Sequence, residues 1–169
     1  LSKIRPEREI HSDFIQTSFT ITRPSTTTQY AVNDALAAST SAAYAIEVAN
    51  VGKTNGDAVD IIGCFVTSTA GETLLPELMI YLFNSPPASA VDNAAFTITD
   101  DENNNVVAVI DVDTWTVTAA NSRGQKDSIH IPAKCADTTT SLYALVKVLN
   151  TYTPVANEVF KFTLQIDRK

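Results

Sequence analysis

The sequence predicts an all-β protein: an antiparallel β-sandwich, jelly-roll-like, of about eight strands, with an extended N-terminal arm. Three observations lead there. Apolar residues recur with a period of two through much of the chain, which is the repeat of a half-buried strand. The segments carrying them are mostly seven to ten residues long and rich in Val, Ile, Thr and Phe, a composition that suits pleated strands. Clusters of Gly, Pro, Asn and Asp separate them, as turns require.

The elements follow in chain order. Residues 1–13 read as a polar arm, with Lys3, Arg5 and Arg8 set against Glu7 and Glu9. Such a segment is either a disordered terminus or an arm that orders on an acidic neighbour. Residues 14–169 form the sandwich domain. In IQTSFTIT (15–22), Ile15, Thr17, Phe19 and Ile21 share one face and polar residues the other. Arg23-Pro24 ends that strand, because proline fixes its own φ and disfavours helix at the residue before it. The connection over 23–42 carries Tyr30, Val32 and Leu36 as anchors, with a bend at Asn33-Asp34.

Alternation resumes in AYAIEVAN (43–50), with Tyr44, Ile46 and Val48 inward and Glu47 outward. SIHI (128–131) and EVFKFTLQID (158–167) repeat it, the latter setting Phe160, Phe162, Leu164 and Ile166 against Lys161, Thr163, Gln165 and Asp167. Four other segments are apolar on both faces: 58–66, 77–83, 106–112 and 142–150. One short helical turn is expected within 92–105, capped by Thr99 or Asp100. An antiparallel sandwich ordinarily leaves one face of each sheet to water. The doubly apolar strands therefore need a second cover, either the 23–42 or 84–105 segment or a neighbouring subunit.

With 169 residues the chain suits one domain that buries roughly 70% of its unfolded surface. The net charge of −7 opposes phosphate backbones and acidic lipids, so neither nucleic acid nor membrane is an expected partner. No apolar run approaches the ~18 residues of a spanning helix. The first twenty residues lack the apolar stretch of a secretory signal, which leaves synthesis in a cytoplasm as the expectation. Cys64 and Cys135 are expected as buried reduced thiols.

Little in the chain points to catalysis. His11 lies in the arm and His130 on the outward side of its strand, and no motif supplies a nucleophile beside either. Asp100, Asp101 and Glu102 resemble a calcium loop in composition but lack the glycine and distal Glu of that pattern. Asp111 and Asp113 alternate along a strand end, as two carboxylates without a third partner. The expectation is a protein that is not an enzyme, with no cofactor and no metal. Trp115, Tyr143 and Tyr152 are the candidates for a sugar-stacking face, with core packing as the ordinary alternative for each.

Three stretches carry a family resemblance. They are Thr-Arg-Pro-x-x-Thr-x-x-Tyr over 22–30, Asp-Asn-Ala-Ala-Phe-Thr-Ile-Thr-Asp over 92–100, and Tyr-Thr-Pro-x-x-x-Glu over 152–158. Together with the segments around them, over residues 18–167, they make the chain similar to small virion structural proteins of tailed bacteriophages, of the capsid decoration or cement type. That resemblance implies a jelly-roll-like sandwich on the outer surface of the capsid, with the major capsid protein as partner. It further implies a homo-oligomer, a trimer in preference to a dimer, that stabilises the shell by bridging capsomers. Lys3, Arg5 and Arg8 are then the candidate capsid contacts. Members of the family often carry glycine where this chain has Val32-Asn33-Asp34. The alternative is a fibre or baseplate module that binds host surface glycan.

Overall fold

The computed structural model describes residues 13–41, 45–71, 75–88 and 90–168. Ten strands form two antiparallel sheets. The first sheet has the order β1-β10-β4-β8-β7, built from β1 (Asp13–Thr22), β10 (Val159–Arg168), β4 (Ala58–Ser68), β8 (Ser122–Lys134) and β7 (Trp115–Val117). The second has the order β2-β9-β5-β6, built from β2 (Ala35–Leu36), β9 (Leu142–Val148), β5 (Leu78–Phe83) and β6 (Val106–Val112), and β3 (Ile46–Val48) also pairs with β9. The all-β sandwich read from the sequence is the fold observed.

The expected eight strands become ten because two very short ones join them. β2 and β3 both lie along β9, and β7 is a three-residue partner of β8. Counting β2 with β3, and β7 with β8, leaves eight strands whose pairings nest from the ends of the chain inward. β1 pairs with β10, β3 with β9, β4 with β8, and β5 with β6, all antiparallel.

The clearest alternation gives the most regular pair. β1 and β10 run in unbroken register from Asp13 opposite Arg168 to Thr22 opposite Val159. Phe19 faces Phe162 with ring centroids 4.6 Å apart and planes 4° from parallel. Asp13, placed in the arm by its polar surroundings, is the first residue of β1. The rest of the arm, with Lys3, Arg5, Arg8 and His11, lies outside the described residues, as does Tyr44. SIHI proves to be part of a 13-residue strand. Between the pairs Ile61–Ile131 and Gly63–Asp127 the register shifts, and Ser128 within the bulge takes φ 56°.

Inward positions of both sheets build the main core, including Ile21, Ile61, Val66, Ile80, Val146, Phe160 and Leu164. A second, smaller cluster shows how two of the doubly apolar strands, β5 and β9, hide much of their outer faces. Phe83 and Leu145 are fully or almost fully buried on the far side of the second sheet, packed with Tyr81, Tyr143, Phe96 and Ile98. Phe96 and Ile98 belong to the 84–105 segment, so the chain covers this face itself. The Tyr81 and Phe96 rings meet at 4.9 Å.

That cover is pinned at several points. Within it lies one turn of helix, α1 (Asp100–Asn103), closed by a capping box in which Thr99 Oγ1 accepts from the Glu102 N–H and Glu102 accepts from the Thr99 N–H. A further bond from the Ala88 N–H ties Glu102 to the start of the segment, at 2.5 Å. The Thr99 backbone bond holds the Glu102 carboxyl below its usual range. The run of acids at 100–102 is thus a helix start.

Candidate functional site

The three stretches behind the family resemblance converge at one end of the sandwich, where they form a buried polar clasp. Arg23, at the exit of β1, is 1% exposed. Its Nη2 lies 3.0 Å from Asp92 Oδ2, both side chains being wholly buried. Its Nε donates to the Tyr30 hydroxyl, which in turn donates to Asp92 Oδ1 at 2.5 Å. The Ala37 N–H completes the Asp92 carboxylate at 3.0 Å. A buried ion pair persists only when its remaining hydrogen-bonding capacity is met, and here it is met by a phenol and a backbone amide.

A second carboxylate sits beside the first group. Glu158, also 1% exposed, accepts from Ser68 Oγ and from the Tyr152 hydroxyl, with the Val155 N–H at 3.3 Å. The two halves are joined through the tyrosines. Tyr30 and Tyr152 form a β-bridge, their rings lie 6.2 Å apart and 14° from parallel, and Tyr30 N–H donates to Tyr152 O at 2.8 Å. Burial and the bond to Asp92 push the Tyr30 phenol far above its ordinary range. A phenol that holds its proton and a guanidinium sealed from water cannot meet a substrate. Chemically the clasp is a fastener between the 23–37, 92 and 152–158 connections.

Asn33 makes the bend expected at Asn33-Asp34. Its φ is 72°, the left-handed region that glycine enters freely and that asparagine tolerates better than most residues.

The other candidates do not assemble into one site. His130 is 76% exposed at its side chain, and its Nδ1 lies 3.1 Å from Asp60 Oδ2. Asp111 sits opposite Met79 with Oδ1 buried and unpartnered, whereas Asp113 lies past the end of β6, 3.9 Å from Lys126 Nζ of the other sheet. The two carboxylates share no partner. Among the described residues no group of three or more His, Cys, Asp or Glu side chains is placed to hold a metal. Cys64 and Cys135 are both buried and free, and burial lifts the Cys64 thiol to about 12.

The three aromatic candidates take the packing alternative. Tyr152 is wholly buried in the clasp, and Tyr143 packs in the second cluster. Trp115 packs against the main core, its ring directly over Gly124, where an added Cβ would come within 2.8 Å. These rings do not form a common platform. The residues that sequence reasoning missed are Arg23, Asp92 and Glu158 as partners. Nothing in local periodicity marks an arginine or a carboxylate for burial.

Comparison with known protein families finds no match for this chain, and comparison with curated proteins finds none either.

Proposed function

We propose that the chain is a capsid decoration (cement) protein of a tailed-phage virion. It is made in the host cytoplasm and bound to the outer surface of the head as a homo-oligomer, with a trimer favoured over a dimer. The nested pairing of first strand with last and second with second-to-last supports reading the sandwich as a jelly roll, a form used by many shell-associated domains. The resemblance of residues 22–30, 92–100 and 152–158 to virion proteins adds to the case, because these stretches build the clasp.

The observation that carries the reading is the free edge. Among the described residues β1 pairs with β10 alone, so one side of a ten-residue strand has no ladder partner. Its sequence, DFIQTSFTIT, contains none of the lysines, prolines or glycines that normally blunt an exposed edge. Phe14, 53% exposed, stands at the start of that strand, where the segment with Lys3, Arg5 and Arg8 joins it. An edge with an aromatic anchor and adjoining cations suits docking on an acidic neighbour by strand addition. Binding assembled shell but not free subunits stabilises the shell by mass action.

The test is rebinding to capsids stripped of this chain, read by sedimentation and by shell melting. Full-length protein is expected to bind and raise the melting temperature. Deleting residues 1–12, or changing Phe14 to Ser, should weaken attachment while the urea midpoint of the domain holds. Full-strength attachment by both variants, or no attachment by the intact chain, overturns the proposal.

A further inference from the structure

The outer face of the first sheet carries a feature that shell attachment does not require. Its rows can be read from the register. Thr20 lies opposite Lys161, Lys161 opposite Thr67, Thr67 opposite Arg123, and Arg123 opposite Thr116. One row across all five strands therefore holds two cations and three hydroxyls, without a carboxylate. Adjacent strands are ~4.8 Å apart, so Lys161 and Arg123 leave the sheet about 10 Å from each other.

Both cations are unneutralised in a chain of net charge −7. Arg23, Lys53, Lys126, Lys134 and Arg168 each pair with an aspartate. Lys161 and Arg123 have no such partner among the described residues. Arg123 is nevertheless held in place. Its guanidinium lies over the Phe65 ring, 4.0 Å from the centroid, and Nε reaches Gln125 Oε1 at 3.4 Å. A guanidinium fixed by an aromatic face, with its terminal nitrogens open, is set up for a planar anion.

Arg123 also opens onto a cleft. Where β4 ends and the β7–β8 hairpin turns, a hollow of about 630 Å3 is lined by Thr67, Thr69, Thr116, Thr118 and Arg123 among others. That volume falls within the range of small-ligand sites. Thr118 is engaged by Asn121 and Thr69 by the Val159 N–H, whereas the hydroxyls of Thr67 and Thr116 have no protein partner among the described residues. The described lining consists of Ser, Thr, Ala, Asn and Arg. It offers no large apolar side chain to anchor a peptide or a lipid.

Free hydroxyls that both donate and accept, beside one rigid planar cation, match a ligand with hydroxyls and a carboxylate on the same ring. We propose that this cleft binds an acidic oligosaccharide. A uronic or sialic acid carboxylate pairs with the Arg123 guanidinium, ring hydroxyls bond Thr67 and Thr116, and a carboxylate on a further sugar meets Lys161. This inference is independent of shell attachment and uses none of the aromatic residues first considered for sugar.

The test is titration of the full chain with oligogalacturonate, galacturonic acid, a neutral galactose oligomer and inorganic phosphate. It is followed by calorimetry. Saturable binding of the acidic oligomer at millimolar Kd or tighter is expected, with the neutral oligomer much weaker. Arg123→Gln should weaken it by about 10- to 100-fold, the scale of a lost charge-assisted hydrogen-bonded pair. Arg123→Lys should fall between, and a Thr67→Val, Thr116→Val double variant should weaken both acidic sugars. Lys161→Gln should weaken the oligomer but leave galacturonic acid unchanged, and Lys147→Gln on the other sheet should alter nothing. Urea midpoints of all variants separate loss of site from loss of fold. The proposal is overturned by no saturable binding, by equal binding of the neutral oligomer, or by phosphate competing as well as the acidic sugar. Insensitivity to Arg123→Gln overturns it equally.

Discussion

An Arg23→Met substitution leaves the Asp92 carboxylate buried opposite an apolar side chain. Both partners of the pair are wholly buried at 3.0 Å, and removing one member of such a pair costs about 3–5 kcal/mol, because the other charge stays desolvated. Tyr30 Oη and the Ala37 N–H still serve Asp92, which places the cost near the lower end. The guanidinium contacts to Thr26 and Val155 carbonyls, at 3.3 and 3.4 Å, are long and add little. For a domain of this size ~3 kcal/mol corresponds to a fall in Tm of roughly 6–12 °C. The assay is urea unfolding followed by the single tryptophan, with a thermal scan alongside. Pairing the change with Asp92→Leu gives a double-mutant cycle. If the buried pair is held together by mutual compensation, the double variant is less destabilised than the sum of the singles by at least ~2 kcal/mol. A single-variant cost under ~1 kcal/mol, or strict additivity, refutes the account of the clasp.

Two further expectations concern pH and the intramolecular cover. Tyr30 and Cys64 both have folded-state pKa values raised above their ordinary values near 10 and 9, so each stabilises the fold fully below that value and loses its contribution as pH climbs beyond it. For Cys64 the window runs from about 9 to about 12. The unfolding free energy from urea titration should fall through this range by up to about 1.4 kcal/mol per pH unit per group, less steeply in Cys64→Ala, and a flat profile would contradict the burial argument. Phe96→Ala should expose the Tyr81, Phe83 and Leu145 face, producing dye binding and concentration-dependent association at a stability cost of about 2 kcal/mol; unchanged solution behaviour would show that Phe96 is not the lid.

Legibility from sequence followed how much each element depends on its own neighbours. β1 alternates cleanly because one face meets core and the other water, and β10 does so except at Thr163, expected outward but 4% exposed and hydrogen-bonded to Ser18. β8 was read only at SIHI, because the left-handed Ser128 and the bulge around it break the period-two pattern. Two and three residues, the lengths of β2 and β7, are too few for a period to register. The outer faces of β5 and β9 were correctly seen as apolar, but what covers them is a matter of chain path. Val106 and Tyr143 say nothing about Phe96 until the 84–105 segment is seen to fold back. Arg23 and Asp92 are 69 residues apart, so their pairing has no local sign at all.

That fold-back changes the physical case for assembly. Apolar excess on the central strands would have driven subunits together through broad hydrophobic contact. With Phe83 fully buried and Leu145 4% exposed, much of that drive is spent within the chain, with Val109 of β6 left 40% exposed. In the proposed role, attachment would rest on the side of β1 that has no ladder partner among the described residues, on Phe14, and on the cations of the sequence that precedes it, a mixture of backbone hydrogen bonds, one aromatic anchor and charge. Such an interface associates faster and responds to salt, since exposed charges are screened within about 8–10 Å at physiological ionic strength. Shell binding that weakens steeply between low and high salt, with the apolar cover intact, is what this division of labour demands.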